Sequence, residues 1–115
     1  MNIKIVKDTI GLAEIQEIAK EFYFPMIKGV VDIEMGIIAL GGEYHNDANM
    51  LLQESEGSEQ KDVWGFNIYT DKPKAEWIEY TSLINIRPAL GNRSMIVADQ
   101  GIRDKMAEII NEKII

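Results

Sequence analysis

The stretch KGVVDIEMGIIALGGEY, residues 28–44, sets two β-branched runs on either side of Met35-Gly36 and constrains the chain more than any other feature. Such runs favour strands, and a glycine accepts the positive φ of a tight turn, so the stretch predicts a β-hairpin. With Met35-Gly36 as the turn, Ile33 faces Ile38 and Val31 faces Leu40 on the buried side, while Asp32 opposes Ala39 on the other. Gly41 and Gly42 close the second strand and mark a bulge or a close backbone approach.

A hairpin alone is marginal and needs partners for its apolar face. NIKIVK, with Ile3 and Ile5 alternating, predicts a short strand. Leu12, Ile15, Ile18, Ala19 and Phe22 recur at helical spacing behind Gly11, with Glu14 in the first turn, and Pro25 stops that helix. HNDANMLLQESEGSEQK is ambiguous. It reads either as a short helix capped by Asn46 or Asp47, or, the preferred reading, as a strand over NMLLQE with a polar loop at Glu56, Gly57 and Ser58. DVWGFNIYT alternates Trp64, Phe66 and Ile68 against Val63, Gly65, Asn67 and Tyr69. WIEYTSLINIRP reads as a second long strand, with Ile78, Tyr80, Ile84 and Ile86 on one face. A closing helix is capped by Asp99 and buries Ile102, Met106, Ile109 and Ile110. The predicted fold is α+β: one domain over 1–115, a largely antiparallel sheet of five to six strands, and two helices packed on one face.

Charge narrows the function. The formal net charge is −7, which argues against non-specific nucleic-acid binding and against docking on an anionic membrane. It likewise makes a toxin-like nuclease the least favoured class. With no cysteine there is neither a disulfide framework nor a thiolate site. The opening MNIKIVKD lacks a signal-peptide core and no apolar run spans a bilayer, so a cytoplasmic location is expected. No phosphate loop, dinucleotide fingerprint or zinc signature occurs, and no cofactor is expected.

Three polar constellations remain. In INIRPALGNRSM, Pro88 biases Arg87 toward extended backbone and Gly91-Asn92 predicts a turn. Arg87, Asn92, Arg93 and Ser94 then present clustered donors suited to a carboxylate or phosphate, unless the arginines serve only the chain's own acids. In GGEYHND, His45 is the only histidine. On extended backbone Glu43 would share its face and orient it as a general base. A hard cation held by Asp32, Glu43 and Asp47 is a lesser option. The third constellation is a sheet face with Asn67, Tyr69, Asn85 and Arg87, where mid-strand asparagines call for a reason. Trp64 and Trp77 read as core or interface anchors.

GGEYH, LLQESEGSEQKDVWGFNIY and WIEYTSLINIRPALGNRS together resemble a family of short bacterial and archaeal proteins described only as a domain of unknown function. The resemblance spans nearly the whole chain and is most specific in WGFNIY and INIRPALGNRS. The pattern includes GGE-x-H followed by a serine-glutamine segment, matched by Glu43, His45, Ser58 and Gln60. It departs where Met95 stands in place of a basic residue. It implies a compact stand-alone prokaryotic domain and no catalytic roles.

The expectation is a small anionic ligand held by Arg87 and Arg93, oriented by Asn67, Asn85 and Asn92, with His45 and Glu43 as the catalytic candidates. The alternative is a homodimer or interaction module using the same sheet face.

Overall fold

A computed structural model describes residues 1–115. Five antiparallel strands, β1 (Ile3–Val6), β2 (Met26–Asp32), β3 (Ile37–Gly41), β4 (Val63–Tyr69) and β5 (Ile78–Glu79), form one sheet in the order β1-β3-β2-β4-β5. Three helices accompany it: α1 (Leu12–Ala19), α2 (His45–Glu56) and α3 (Gln100–Lys113). None is long and apolar enough to cross a membrane.

The predicted hairpin forms with its register moved by two residues. Val31 pairs with Ile38 and Asp32 with Ile37, leaving a four-residue loop in place of the two-residue turn. Asp32 causes the change: its Oδ1 accepts hydrogen bonds from the Glu34 and Met35 amides at 2.9 Å, and Gly36 at φ +70° lets the chain return. A slip of two residues preserves alternation, so every side chain keeps its expected face.

Alternation divides the interior in two. Val31, Ile38, Leu40, Trp64, Phe66 and Ile68 pack with Ile15 and Ile18 of α1 and Met106, Ile109 and Ile110 of α3. On the other face Val30, Ile37, Ala39 and Val63 pack with Ala48 and Leu52 of α2. Each such fully buried Leu, Ile or Phe contributes roughly 1.5–3 kcal/mol. The expectation of two helices on one face is therefore corrected: a third helix covers the other face.

The strand expected at NMLLQE is that helix, α2. Ala48 and Leu52 lie one turn apart with His45 and Asn49 on the same buried side, and Gly57 ends it in a left-handed cap at φ +74°.

The long strand expected over 76–87 is also corrected, since β5 holds only Ile78–Glu79. Beyond it the chain leaves β4, and Thr81 bridges Ile96 instead. The Asn85 side chain takes the vacated place, donating to the Gly65 carbonyl at 3.0 Å and accepting from the Gly65 amide at 2.8 Å. A primary amide offers the same donor and acceptor as a peptide group, so it closes the edge as a strand would. Gly65 permits the approach, because a Cβ there would lie 2.5 Å from that of Ser82.

Candidate functional site

Lys28, Val30 and Asp32 alternate toward the α2 side of the sheet, as do Val63, Gly65 and Asn67 on the neighbouring strand. α2 seals the middle of this face and begins at His45. Beyond its N-terminal end lies a cavity of about 380 Å³, lined by Lys28, Tyr44, His45, Asn46, Asn67, Thr81, Ser82, Leu83, Ile84 and Met95. The chain carries 19 acidic residues, yet that lining contains one lysine and no acid.

Asn67 sits at the centre. It is the cross-strand partner of Lys28 and accepts at Oδ1 from His45 Nε2 at 2.9 Å. Its nitrogen donates to Glu79 Oε1 at 2.8 Å and to the Thr81 carbonyl at 3.3 Å, which fixes the amide orientation. The Phe66 carbonyl lies 2.8 Å from the same His45 Nε2. Two acceptors facing Nε2 require the proton there, so Nδ1 carries the free lone pair. His45 is 8% exposed. Burial, with a smaller push from Lys28, lowers its pKa to about 4 against the opposing pull of the two hydrogen bonds and of the Glu79 charge, so the ring is neutral at pH 7. Lys28 is half-buried, forms no salt bridge, and holds its ammonium 5.0 Å from the Tyr23 ring centroid.

Glu43 does not orient His45. Its charge lies beside the Tyr44 hydroxyl and raises the Tyr44 pKa, and its backbone amide donates to Asp47 Oδ2 at 3.1 Å. Asp47 also accepts from the Tyr44 amide at 2.9 Å, so it serves the start of α2. Asp32 is used by its turn, and Asp32, Glu43 and Asp47 form no cation cluster.

The arginines do not join His45. Arg87 lines a separate groove of about 500 Å³, with Leu83 and Ile84 common to both. Its guanidinium stacks on Trp64, 4.8 Å from the ring centroid, and Nη2 donates to the Val63 carbonyl. Nε and Nη1 are buried without partners. Burial lowers the Arg87 pKa and nearby Asp62 opposes the shift. Arg93 is exposed and unpaired.

Asn85 and Asn92 are spent on the fold. Asn85 adds a bond to the Met95 carbonyl at 3.1 Å. Asn92 donates to the carbonyls of Asn85, Ser94 and Ile96 and accepts from the Ala98 amide. Ser94 closes its own turn through Ile96.

Sequence reasoning passed over Lys28, Thr81 and Ser82. Lys28 becomes a site residue through the pairing of β2 with β4, and no local pattern announces that contact.

These features define a class, an α+β domain with one antiparallel sheet and, at a helix N-terminus, a cavity whose lining includes one lysine. Residues 4–113 match the family described as "Protein of unknown function (DUF5674)", and the chain belongs to it. No match is found among curated proteins or solved structures.

Proposed function

We propose that the protein binds a small anionic ligand, a carboxylate or a phosphate, in the cavity at the start of α2. The observation that carries this reading is Lys28, which has no salt-bridge partner, in a lining that holds no acid. The N-terminal end of α2 adds a favourable partial charge. Lys28 replaces Arg87 and Arg93 as the charge that holds the anion. A neutral imidazole with a pKa of about 4 is a poor general base at pH 7, so binding is favoured over hydrolysis.

Titration with acetate or inorganic phosphate at pH 7 is expected to move the amide resonances of residues 45–47 and the His45 ring signals. Lys28→Gln, which keeps the stem and removes the charge, is expected to weaken binding about tenfold, in line with about 1.4 kcal/mol for a partly desolvated charge pair. Unmoved resonances in the wild type would sink the reading.

A second reading, self-association, is favoured by the apolar residues around the Arg87 groove. Leu83, Ile86 and Leu90 are 70%, 42% and 51% exposed. Such a grouping is typical of interaction surfaces. Light scattering is expected to report a dimer at micromolar concentration that Ile86→Asp with Leu90→Asp returns to monomer. A wild type that remains monomeric at higher concentration would remove this reading.

A further inference from the structure

The cavity has two unlike ends. Lys28, Asn67 and His45 form a polar floor, while Ile84 and Met95 belong to an apolar wall whose rim is Leu83. A bare anion such as phosphate would use the floor and leave the wall wet. The floor itself asks for two things. Lys28 asks for a negative group. His45 Nδ1, an acceptor without a protein partner, asks for a donor on the ligand. Both residues flank Asn67, one as its cross-strand neighbour and the other as its hydrogen-bond partner. Both therefore open on one polar floor, and a single small ligand can meet both.

The donor's charge is constrained as well. An ammonium group placed there would face Lys28 and the positive end of α2, and the carboxylate beside Asn67, that of Glu79, is already engaged by Asn67 and Tyr69. A hydroxyl supplies the same donor without that cost.

Resting on the anion-binding reading, we infer that the ligand class is an aliphatic hydroxycarboxylate: a carboxylate on Lys28, a neighbouring hydroxyl donating to His45 Nδ1, and an apolar tail against Ile84, Met95 and Leu83. Neither amino acids nor inorganic anions satisfy all three demands.

Four probes on the wild-type protein at pH 7 separate the parts: 2-hydroxyisocaproate, isocaproate without the hydroxyl, lactate without the tail, and leucine with an ammonium in place of the hydroxyl. Calorimetry is expected to rank 2-hydroxyisocaproate above each of the others by about fivefold to tenfold, the range of one net hydrogen bond or a few buried methylenes. The His45 Nδ1 nitrogen signal is expected to move with 2-hydroxyisocaproate and to stay in place with isocaproate. Equal affinities across the carboxylates, or leucine binding as well as its hydroxy analogue, would overturn the ligand class and leave the anion site standing. Phosphate binding with no carboxylate binding would do the same. If neither phosphate nor any of the four probes perturbs residues 45–47, both readings fall together.

Discussion

Replacing Asn85 with alanine is expected to destabilise the protein by about 3–5 kcal/mol, more than any change at the protein's surface. The side chain is fully buried and makes three hydrogen bonds, to the Gly65 amide, the Gly65 carbonyl and the Met95 carbonyl. Alanine reaches none of them. A buried backbone group left without a partner costs about 1–3 kcal/mol, and the lost volume adds a cavity. For a small domain this is a large part of the total stability, and the urea midpoint is expected to fall by about 2 M. Asn85→Asp tests the geometry further. It keeps an acceptor for the Gly65 amide but turns an oxygen toward two carbonyls, so at pH 7 it is expected to be worse than alanine. Protonation restores one donor, so this variant should regain stability relative to alanine in acid. Because Ser82 and Met95 line the cavity, Asn85→Ala is also expected to weaken anion binding. A loss below about 1 kcal/mol in Asn85→Ala would mean that the amide does not close the edge of β4.

The same asparagine shows what could and could not be read in the sequence. Mid-strand asparagines at 67 and 85 asked for an explanation, and each has one that lies far along the chain. Asn67 holds His45 from 22 residues away, and Asn85 stands in for a strand at Gly65 from 20 residues away. The strand signals marked β1, β2, β3 and β4: Ile3 and Ile5 alternate toward the core under α2, β2 and β3 are β-branched runs about a glycine turn, and Trp64, Phe66 and Ile68 of β4 alternate into the large core. Periodicity misread α2 because half of that helix's buried stripe is His45 and Asn49, polar residues that a hydrophobic count does not see. It extended β5 to residue 87 because Leu83 and Ile86 look like strand residues, though both are exposed and belong to the groove. Of the site, the lone histidine was legible. Lys28 was not, since its meeting with Asn67 depends on β2 pairing across α2 with β4. The arginines at and beyond the end of the strand expected over 76–87 looked like an anion fork, but Trp64 and the Val63 carbonyl hold Arg87 in a separate groove.

Acidification from pH 7 to pH 4 is expected to remove about 3 kcal/mol of stability through His45 alone. The ring's pKa is lowered to about 4 in the folded protein, against 6.5 for an unburied imidazole. Between those values the unfolded chain binds a proton that the folded chain refuses, so stability is complete above pH 6.5 and is lost as pH falls toward 4. Below 4 both states are protonated and the contribution stops changing. Other groups also titrate in this range, so the informative quantity is the stability difference between wild type and His45→Gln. That difference is expected to shrink by about 3 kcal/mol from pH 7 to pH 4. The chain has one histidine, so its ring resonances need no assignment. They should show the neutral form protonated at Nε2 from pH 8 down to pH 5. A ring that titrates near 6.5 would mean that Phe66 and Asn67 do not hold it in a buried site. Bound acetate, which has no hydroxyl to donate to Nδ1, adds a second, opposite effect: negative charge beside the imidazole favours its protonated form, so saturating acetate should raise the His45 pKa and narrow the pH window over which stability is lost. Acetate that binds without moving the His45 titration must sit elsewhere than beside Lys28.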